Sequence, residues 1–451
     1  MKISAVILAA GQGTRMRSDL PKVLHPLVGR PMAWHALQAA RQVTGSQPVM
    51  VIGHGAEAVR QALGEEAASY VVQDPQLGTG HAVMQAEPLL RGASDLVLVT
   101  YADMPLVRSE TLRQLVAAHQ DYPAAVTLMT VIAADPRGFG RILRSASGQV
   151  QAIVEEAQAT PEQLAIRELN ASVYCFSAEW LWPALGRIPL SPKGEYYLTD
   201  LVGLAVADGL PVRALLAEDP AEMIGVNTRV HLAEAEAQLR RRINQAWMLQ
   251  GVTMINPEAT YIEPGVTIGR DTLLWPDTYL HGETHIGAGC ELGPNTIIHD
   301  SQVGEQCTIL ASVLEGALLE DHVEVGPFAR LRKGAHLAQG VHMGNFGEIK
   351  NSYLGPGAKM GHFSYLGDAT IGAQVNIGAG TITCNYDGTH KHPTEVGEGA
   401  FIGSDTMLVA PVKVGEGART GAGAVVTRDI PPFSLAVGVP ARVIRKLERS
   451  E

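Results

Sequence analysis

The chain has 451 residues, with 35 Lys and Arg against 46 Asp and Glu, for a formal net charge of −11. That acidic balance excludes a global nucleic-acid footprint, and the length implies at least two domains, since single cores rarely grow past about 250–300 residues. Cys175, Cys290, Cys307 and Cys384 form no CxxC pair, which argues for buried free thiols rather than a zinc site or a disulfide framework.

Residues 2–10 (KISAVILAA) read as a buried strand running into a Gly-rich loop. The apolar stretch is too short for a signal peptide, and no apolar run is long enough to cross a bilayer. A cytoplasmic protein without membrane or nucleic-acid partners is expected. Helix-like and strand-like segments then alternate: PMAWHALQAARQV (helix), PVMVIG (strand), GTGHAVMQAEPLL (helix), DLVLVTYADMP (strand) and TLRQLVAAHQ (helix). This alternation predicts an α/β domain with a mostly parallel sheet. Strands with short connections over 124–176 predict an inserted mixed-sheet region. A helix over EYYLTDLVGLAVADG and two short strands lead to MIGVN at 223–227.

Residues 229–250 lack Gly and Pro. Leu232, Leu239, Ile243 and Trp247 share one helical face, so a linker helix is expected. Arg240, Arg241 and Arg242 read as its solvated side. The predicted domains are 1–228, the linker 229–250, and 251–451.

From Ile262 to Ile298 an aliphatic residue recurs at every sixth position, and the count continues with slips to Val414. Gly usually follows each, and a small or β-branched residue falls four places after it. A period of six fits no α-helix and predicts a parallel β-helix of hexapeptide repeats. The linker helix and the PPFSLAVGVPARVIRKL tail are the natural covers for its two ends.

Several residues carry chemistry. In LAAGQGTRMRSDLPKVLH, Gly11 and Gly13 follow a strand, where backbone approaches a phosphate closely. No GK[ST] follows, so it is not a Walker loop. Arg15 and Lys22 are cations suited to a triphosphate. Asp103 ends an apolar strand in the crevice where such sheets bind ligands, and its oxygens suit Mg2+. In the coil, Arg332 and Lys350 are 18 residues apart, three hexapeptides, so they stack about 4.8 Å from each other. An anion between them relieves their repulsion. His362 points outward near a corner by the same edge, and an imidazole titrates near neutral pH as a general base must. Tyr365 and Asn376 lie close by. The repeat breaks at 383–395, and solenoid insertions commonly map to the binding face. His390 and His392 in that insertion read as a polar loop rather than a metal site.

LAAGQGTRM followed by PK, QLGTGHA and YAD resembles the sugar-nucleotide pyrophosphorylases. With GFGRI, IVEE, LNASVY, EYYLTD, GVNTR and the hexapeptide coil, the whole chain resembles the bacterial bifunctional N-acetylglucosamine-1-phosphate uridylyltransferase/glucosamine-1-phosphate N-acetyltransferases. The resemblance implies a Rossmann-like nucleotidyltransferase domain, a linker helix and a left-handed parallel β-helix. It implies acetyl transfer from acetyl-CoA to glucosamine-1-phosphate, then uridylyl transfer from UTP with release of pyrophosphate, supplying peptidoglycan and lipopolysaccharide precursors. By resemblance, Leu8, Ala9, Ala10, Gly11, Lys22, Gln73, Gly78 and Thr79 hold the uridine nucleotide, with Tyr101, Ala102 and Asp103 beside them. The family usually has Gly where Ala102 stands. Gly140, Glu155 and Asn170 hold N-acetylglucosamine, and Asp103 and Asn227 bind Mg2+. Arg15 and Lys22 offset phosphate charge. In the coil, Arg332 and Lys350 bind the phosphate of glucosamine-1-phosphate, Tyr365 and Asn376 its sugar, and His362 is the general base. Ala379, Asn385, Tyr386, Ser404 and Ala422 contact acetyl-CoA. A further family Arg falls at Gly438, with Arg442, Arg445 or Lys446 as replacements. A homotrimer joined through the flat faces of the coil is implied.

A single-activity pyrophosphorylase with a regulatory or structural coil is the main alternative; Arg332, Lys350, His362, Asn385 and Tyr386 weigh against it. A non-enzymatic nucleotide sensor on a scaffold is opposed by Arg15, Lys22, Asp103 and Asn227.

Overall fold

A computed structural model describes residues 1–133 and 135–448. The chain divides into two compact units, Met1–Leu239 and Arg240–Glu451.

In the first unit the strand Ile3–Ala9 lies inside a mixed sheet. The sheet order is Val212–Leu216, Val126–Ile132, Glu168–Ser177, Leu96–Tyr101, Ile3–Ala9, Val49–Ile52, Ser69–Val72. Ile3–Ala9 pairs in parallel with both neighbours. Glu168–Ser177 runs antiparallel to both of its own. Alternate side chains of the central strand serve two cores, as the period of two requires. Ala5, Ile7 and Ala9 join the helices Met32–Thr44 and Ser109–Asp121. Val6, Leu8 and Ala10 join Ala178–Leu185 and Asp200–Ala207. Burial on both faces explains the unbroken apolar run of this strand.

Three local expectations are corrected. The helix read over 78–90 is two, Thr79–Met84 and Glu87–Leu90, and Pro88 opens the second. The helix read from 195 begins only at Asp200. The backbone of 196–198 instead bonds to residues 77–80: Tyr196 N donates to Leu77 O (2.8 Å) and Gly80 N to Tyr196 O (2.7 Å). Of the two strands read before 227, one forms, Val212–Leu216. Pro220–Met223 is instead a 3-10 turn, capped where Ala221 N donates to Asp219 Oδ1.

The linker helix runs Arg229–Leu249. Its Leu232 and Leu239 pack on Leu27, Met32, Leu106 and Val226 in the first unit.

The second unit is a left-handed parallel β-helix of three stacked sheets, which begin at Thr253–Met254, Thr260–Ile262 and Thr267–Ile268. The residues of the six-fold pattern point inward: Leu274, Leu280, Leu292, Ile298, Leu331 and Leu354 are all fully buried. The small residues four places later also face in and line the corners. Thr278 Oγ1 donates to Trp275 O (2.7 Å), and Thr284 Oγ1 to His281 O (2.6 Å), so these two buried hydroxyls are satisfied by backbone. Cys290 and Cys307 occupy this second row on adjacent coils; Cys384 is only half-buried. Where Gly follows the aliphatic it allows close stacking, since a Cβ on Gly269 would lie 2.5 Å from Ala288 N.

Ile243 and Trp247 pack against one end of the coil core, and Ala441 of the tail also packs against that core. The basic triplet is more engaged than a solvated face: the Arg240 guanidinium lies 4.6 Å from the Tyr261 ring centroid, and Arg241 pairs with Glu258 at 3.5 Å. Leu292→Ala is expected to cost about 2–5 kcal/mol, measured by urea unfolding, because a close-packed column cannot collapse around the gap.

Candidate active sites

The carboxyl ends of the parallel strands form the rim of a cavity of about 500 Å³. Leu8, Ala9, Ala10 and Gly11 come from the end of Ile3–Ala9 and the turn after it, Gln73, Gly78 and Thr79 from beyond Ser69–Val72, Tyr101 from the end of Leu96–Tyr101 and Asp103 from just beyond it. Gln73 is fixed by donating from Nε2 to Gly78 O (2.8 Å). Gly13 turns at φ +65°, and a Cβ there would sit 2.5 Å from Lys22 Cβ. This turn therefore lets the lysine reach the cavity.

Lys22 Nζ lies 2.5 Å from Asp103 Oδ2 and 3.1 Å from Asn227 Oδ1. Three predicted residues from distant parts of the chain thus meet at one point. Ala102 is fully buried behind them, so its methyl group is accommodated. Arg15 is not brought in. It lies exposed on the turn Thr14–Met16 and is not among the residues lining the cavity. Burial, with Glu155 and Asp103 adding to it, pushes the Tyr101 phenol up, so it stays neutral.

Tyr197 joins this cavity to a second, of about 440 Å³, lined also by Glu155, Lys193 and Gly138. Glu155 Oε1 accepts from Thr199 Oγ1 at 2.8 Å. Asn170 is buried, and its Nδ2 donates to Tyr174 Oη at 2.7 Å. Gly140 accepts at its carbonyl from Asn170 N (2.8 Å), and a Cβ on it would meet Ile153 Cγ2 at 2.8 Å.

On the coil, Leu331 pairs with Ile349, so the next residues, Arg332 and Lys350, stand in register on adjacent rungs. Arg332 Nη1 also meets Glu348 Oε1 at 2.9 Å. Lys391, from the insertion, pushes the Lys350 ammonium down first, and Arg332 adds to it. Three cations therefore converge. Gly367 stands on the rung beyond Lys350. The space its missing Cβ leaves is walled by the Tyr365 hydroxyl and the Asn385 amide. Asn385 Nδ2 in turn donates to Asp368 Oδ2 (2.5 Å).

His362 is exposed at the neighbouring corner. Gly380 N donates to Phe363 O, Asp405 N to Ala379 O and Gly423 N to Ser404 O. These bonds set His362, Ala379, Ser404 and Ala422 in one column along the coil. Asn376 is half-buried on the sheet before this corner. Gly438 is exposed beyond the column, and Arg442, Arg445 and Lys446 lie on an exposed final strand.

Tyr386 is exposed in the insertion, where it bridges to Lys391. Asp387 organises this loop. Its Oδ1 accepts from Thr389 N and His390 N, and its Oδ2 bonds His392 Nε2 (2.7 Å). Among the described residues no group of three or more His, Cys, Asp or Glu could hold a metal. The His390 backbone bond first, then His392 and Thr389, hold the Asp387 carboxyl down at about 2. A depressed folded value means that the loop's stabilisation is present above the ordinary carboxylate range and lost as pH falls through about 2. The Asp387 carboxyl carbon shift is expected to titrate near that value, and Asp387→Ala to speed hydrogen exchange at residues 389–392.

Sequence reading missed Gln76, whose Nε2 donates to Ala10 O (2.7 Å) in the cavity wall, and Tyr197, Thr199 and Lys391. Gln76 lies within the quoted QLGTGHA stretch, and Tyr197 and Thr199 within EYYLTD, though none was singled out; Lys391 carries no motif.

Residues 5–176 match the MobA-like NTP transferase domain, and 265–300 and 393–428 match the bacterial transferase hexapeptide (six repeats). The bifunctional protein GlmU of Heliobacterium modesticaldum is 50% identical over 437 residues, covering 97% of this chain and 95% of that protein. The bifunctional protein GlmU of Trichlorobacter lovleyi is 48% identical over 437 residues, with 96% and 95% covered. That of Pelobacter propionicus is 47% identical over 447 residues, with 98% and 97% covered. With both units matched in order along nearly the whole length, the chain belongs to the family of bifunctional GlmU proteins.

Proposed function

We propose that the two units house the two reactions separately, with boundaries at 1–228, 229–250 and 251–451. The enzyme acetylates glucosamine-1-phosphate and uridylylates the N-acetylglucosamine-1-phosphate product, making UDP-N-acetylglucosamine. The observations that carry the assignment of sites are the meeting of Lys22, Asp103 and Asn227 in the first unit and, in the second, the convergence of Arg332, Lys350 and Lys391, with His362 at the neighbouring corner.

In uridylyl transfer, a phosphate oxygen of the sugar phosphate attacks the α-phosphorus of UTP. The bond from that phosphorus to the β-bridging oxygen breaks, and pyrophosphate leaves. No covalent enzyme intermediate is needed, so alignment and charge neutralisation do the work. Leu8 to Gly11, Gln73, Gly78 and Thr79 seat the nucleotide, Gly140, Glu155 and Asn170 the sugar, and Lys22 a phosphate. Arg15 reaches the phosphates only by swinging in from its exposed turn. Asp103 Oδ2 and Asn227 Oδ1 are hard oxygen donors aimed at one positive group, the Lys22 ammonium, which fits Mg2+. A Mg2+ ion held by Asp103 and Asn227 would supply positive charge at the phosphates.

In acetyl transfer, Arg332, Lys350 and Lys391 hold the phosphate, and Tyr365 and Asn376 the sugar. The amine nitrogen attacks the thioester carbonyl of acetyl-CoA, His362 takes the amine proton, and the CoA thiolate leaves. Ala379, Asn385, Tyr386, Ser404 and Ala422 seat acetyl-CoA. Arg442, Arg445 or Lys446 stand in for the family Arg at Gly438.

A homotrimer is proposed. Phe328, Phe346 and Phe363 are 61%, 60% and 55% exposed along the corner that bears His362, a row of rings suited to burial against another copy. A monomer by sedimentation with full acetyltransferase activity would overturn it. A cytoplasmic enzyme feeding cell-wall and lipopolysaccharide synthesis completes the proposal; no helix among the described residues is long and apolar enough to cross a membrane. The assay is direct: glucosamine-1-phosphate, acetyl-CoA, UTP and Mg2+, with free thiol and pyrophosphate followed separately. Both must appear, thiol first.

A further inference from the structure

The segment 195–199 links the two halves of the uridylyltransferase cavity. On the nucleotide side its backbone is bonded to 77–80. Tyr196 N donates to Leu77 O, Gly80 N to Tyr196 O, and Leu198 N to Thr79 Oγ1 at 2.9 Å. A Cβ on Gly78 would lie 2.8 Å from Tyr196 O, so the contact is close along its length. On the sugar side the same segment ends at Thr199, which is buried and donates from Oγ1 to Glu155 Oε1 at 2.8 Å.

Glu155 follows the strand Val150–Val154 and has a flexible side chain lining the cavity. Thr199 is the one donor to its carboxylate among the described residues, and it binds Oε1 alone. Oε2 is left to accept from a ligand. A carboxylate that must meet a sugar hydroxyl or amide in one geometry needs its rotamer held by a neighbour.

We propose that Thr199 is a positioning residue for sugar recognition: it fixes Glu155 from a segment that is itself bonded to the nucleotide-binding turn. This rests on the assignment of Glu155 to the sugar. The hydroxyl, not the bulk of the side chain, carries the role, so Thr199→Val removes it while Thr199→Ser keeps it.

The test compares wild type, Thr199→Val, Thr199→Ser and Glu155→Gln by steady-state pyrophosphate release with N-acetylglucosamine-1-phosphate and UTP. Loss of a hydrogen bond to a charged group predicts that Thr199→Val raises KM for the sugar phosphate by about tenfold or more. The KM for UTP stays within about twofold, where no hydrogen bond is lost, and Thr199→Ser restores the wild-type value. An unmoved sugar-phosphate KM in Thr199→Val beside a raised one in Glu155→Gln overturns the positioning role alone. So does a parallel rise in both KM values that Thr199→Ser fails to rescue. An unmoved KM in Glu155→Gln overturns the sugar assignment of Glu155 and the inference with it.

Discussion

His362→Ala is expected to slow acetyl transfer by about 10²–10⁴-fold, the usual loss with a single general base, while uridylyl transfer proceeds at the wild-type rate. The imidazole stands exposed at a corner, in column with Ala379, Ser404 and Ala422 and beside the rungs that carry Arg332 and Lys350. It fills no core position, so its removal leaves the coil intact. Thiol release from acetyl-CoA and pyrophosphate release from UTP, measured on one preparation, report the two reactions independently. A fall in both would indicate damage to the fold, and an unchanged acetylation rate would remove His362 from the mechanism.

The complementary pair is Lys22→Ala and Asp103→Ala. Each removes one member of the three-residue contact with Asn227. Removing one preorganised electrostatic group typically costs about 10²–10³ in rate, and uridylyl transfer is expected to fall by at least that much in either variant. Acetylation of glucosamine-1-phosphate continues unchanged in both. Wild-type-like formation of the UDP-sugar by either variant would sink the assignment of that residue. The two need not respond alike to Mg2+. On the proposed Mg2+ role of Asp103, Asp103→Ala loses a metal oxygen, so excess Mg2+ is expected to recover part of its activity, whereas Lys22→Ala gains nothing from added metal.

Much of this was readable from residue order because the physics is local or periodic. The inward row Leu274, Leu280, Leu292 and Leu331 repeats in the sequence as it does in space, so the coil follows from counting. The 18-residue turn places Arg332 over Lys350 by the same arithmetic. The alternation of Ala5, Ile7 and Ala9 with Val6, Leu8 and Ala10 between two cores was hidden, because burial on both faces erases the polar phase. The segment 195–199 was misread as helix since its Tyr and Leu residues continue the apolar character of Asp200–Ala207. What stops the helix is bonding to residues 77–80, more than a hundred positions away in the chain. Lys391 sits in the one long break of the repeat, where no period gives its direction. Arg15 shows the converse: proximity to a glycine turn suggested a phosphate contact, and the left-handed geometry at Gly13 and Arg17 leaves the side chain in solvent.

Neighbouring rungs of the coil are 18 residues apart at Arg330 and Glu348 and 25 apart at Ile371 and Val396. The insertion thus widens one lap without altering the register above or below it. Every lap closes a loop of similar, modest length, so the entropy of closure arrives in small equal steps. A chain of this kind can fold as a moving front, each completed lap templating the next. Such a front, moving from the N-terminal end, completes the laps bearing Arg332 and Lys350 before it reaches the loop with Lys391. The proposed acetyltransferase centre would then be finished late, on a platform that already stands.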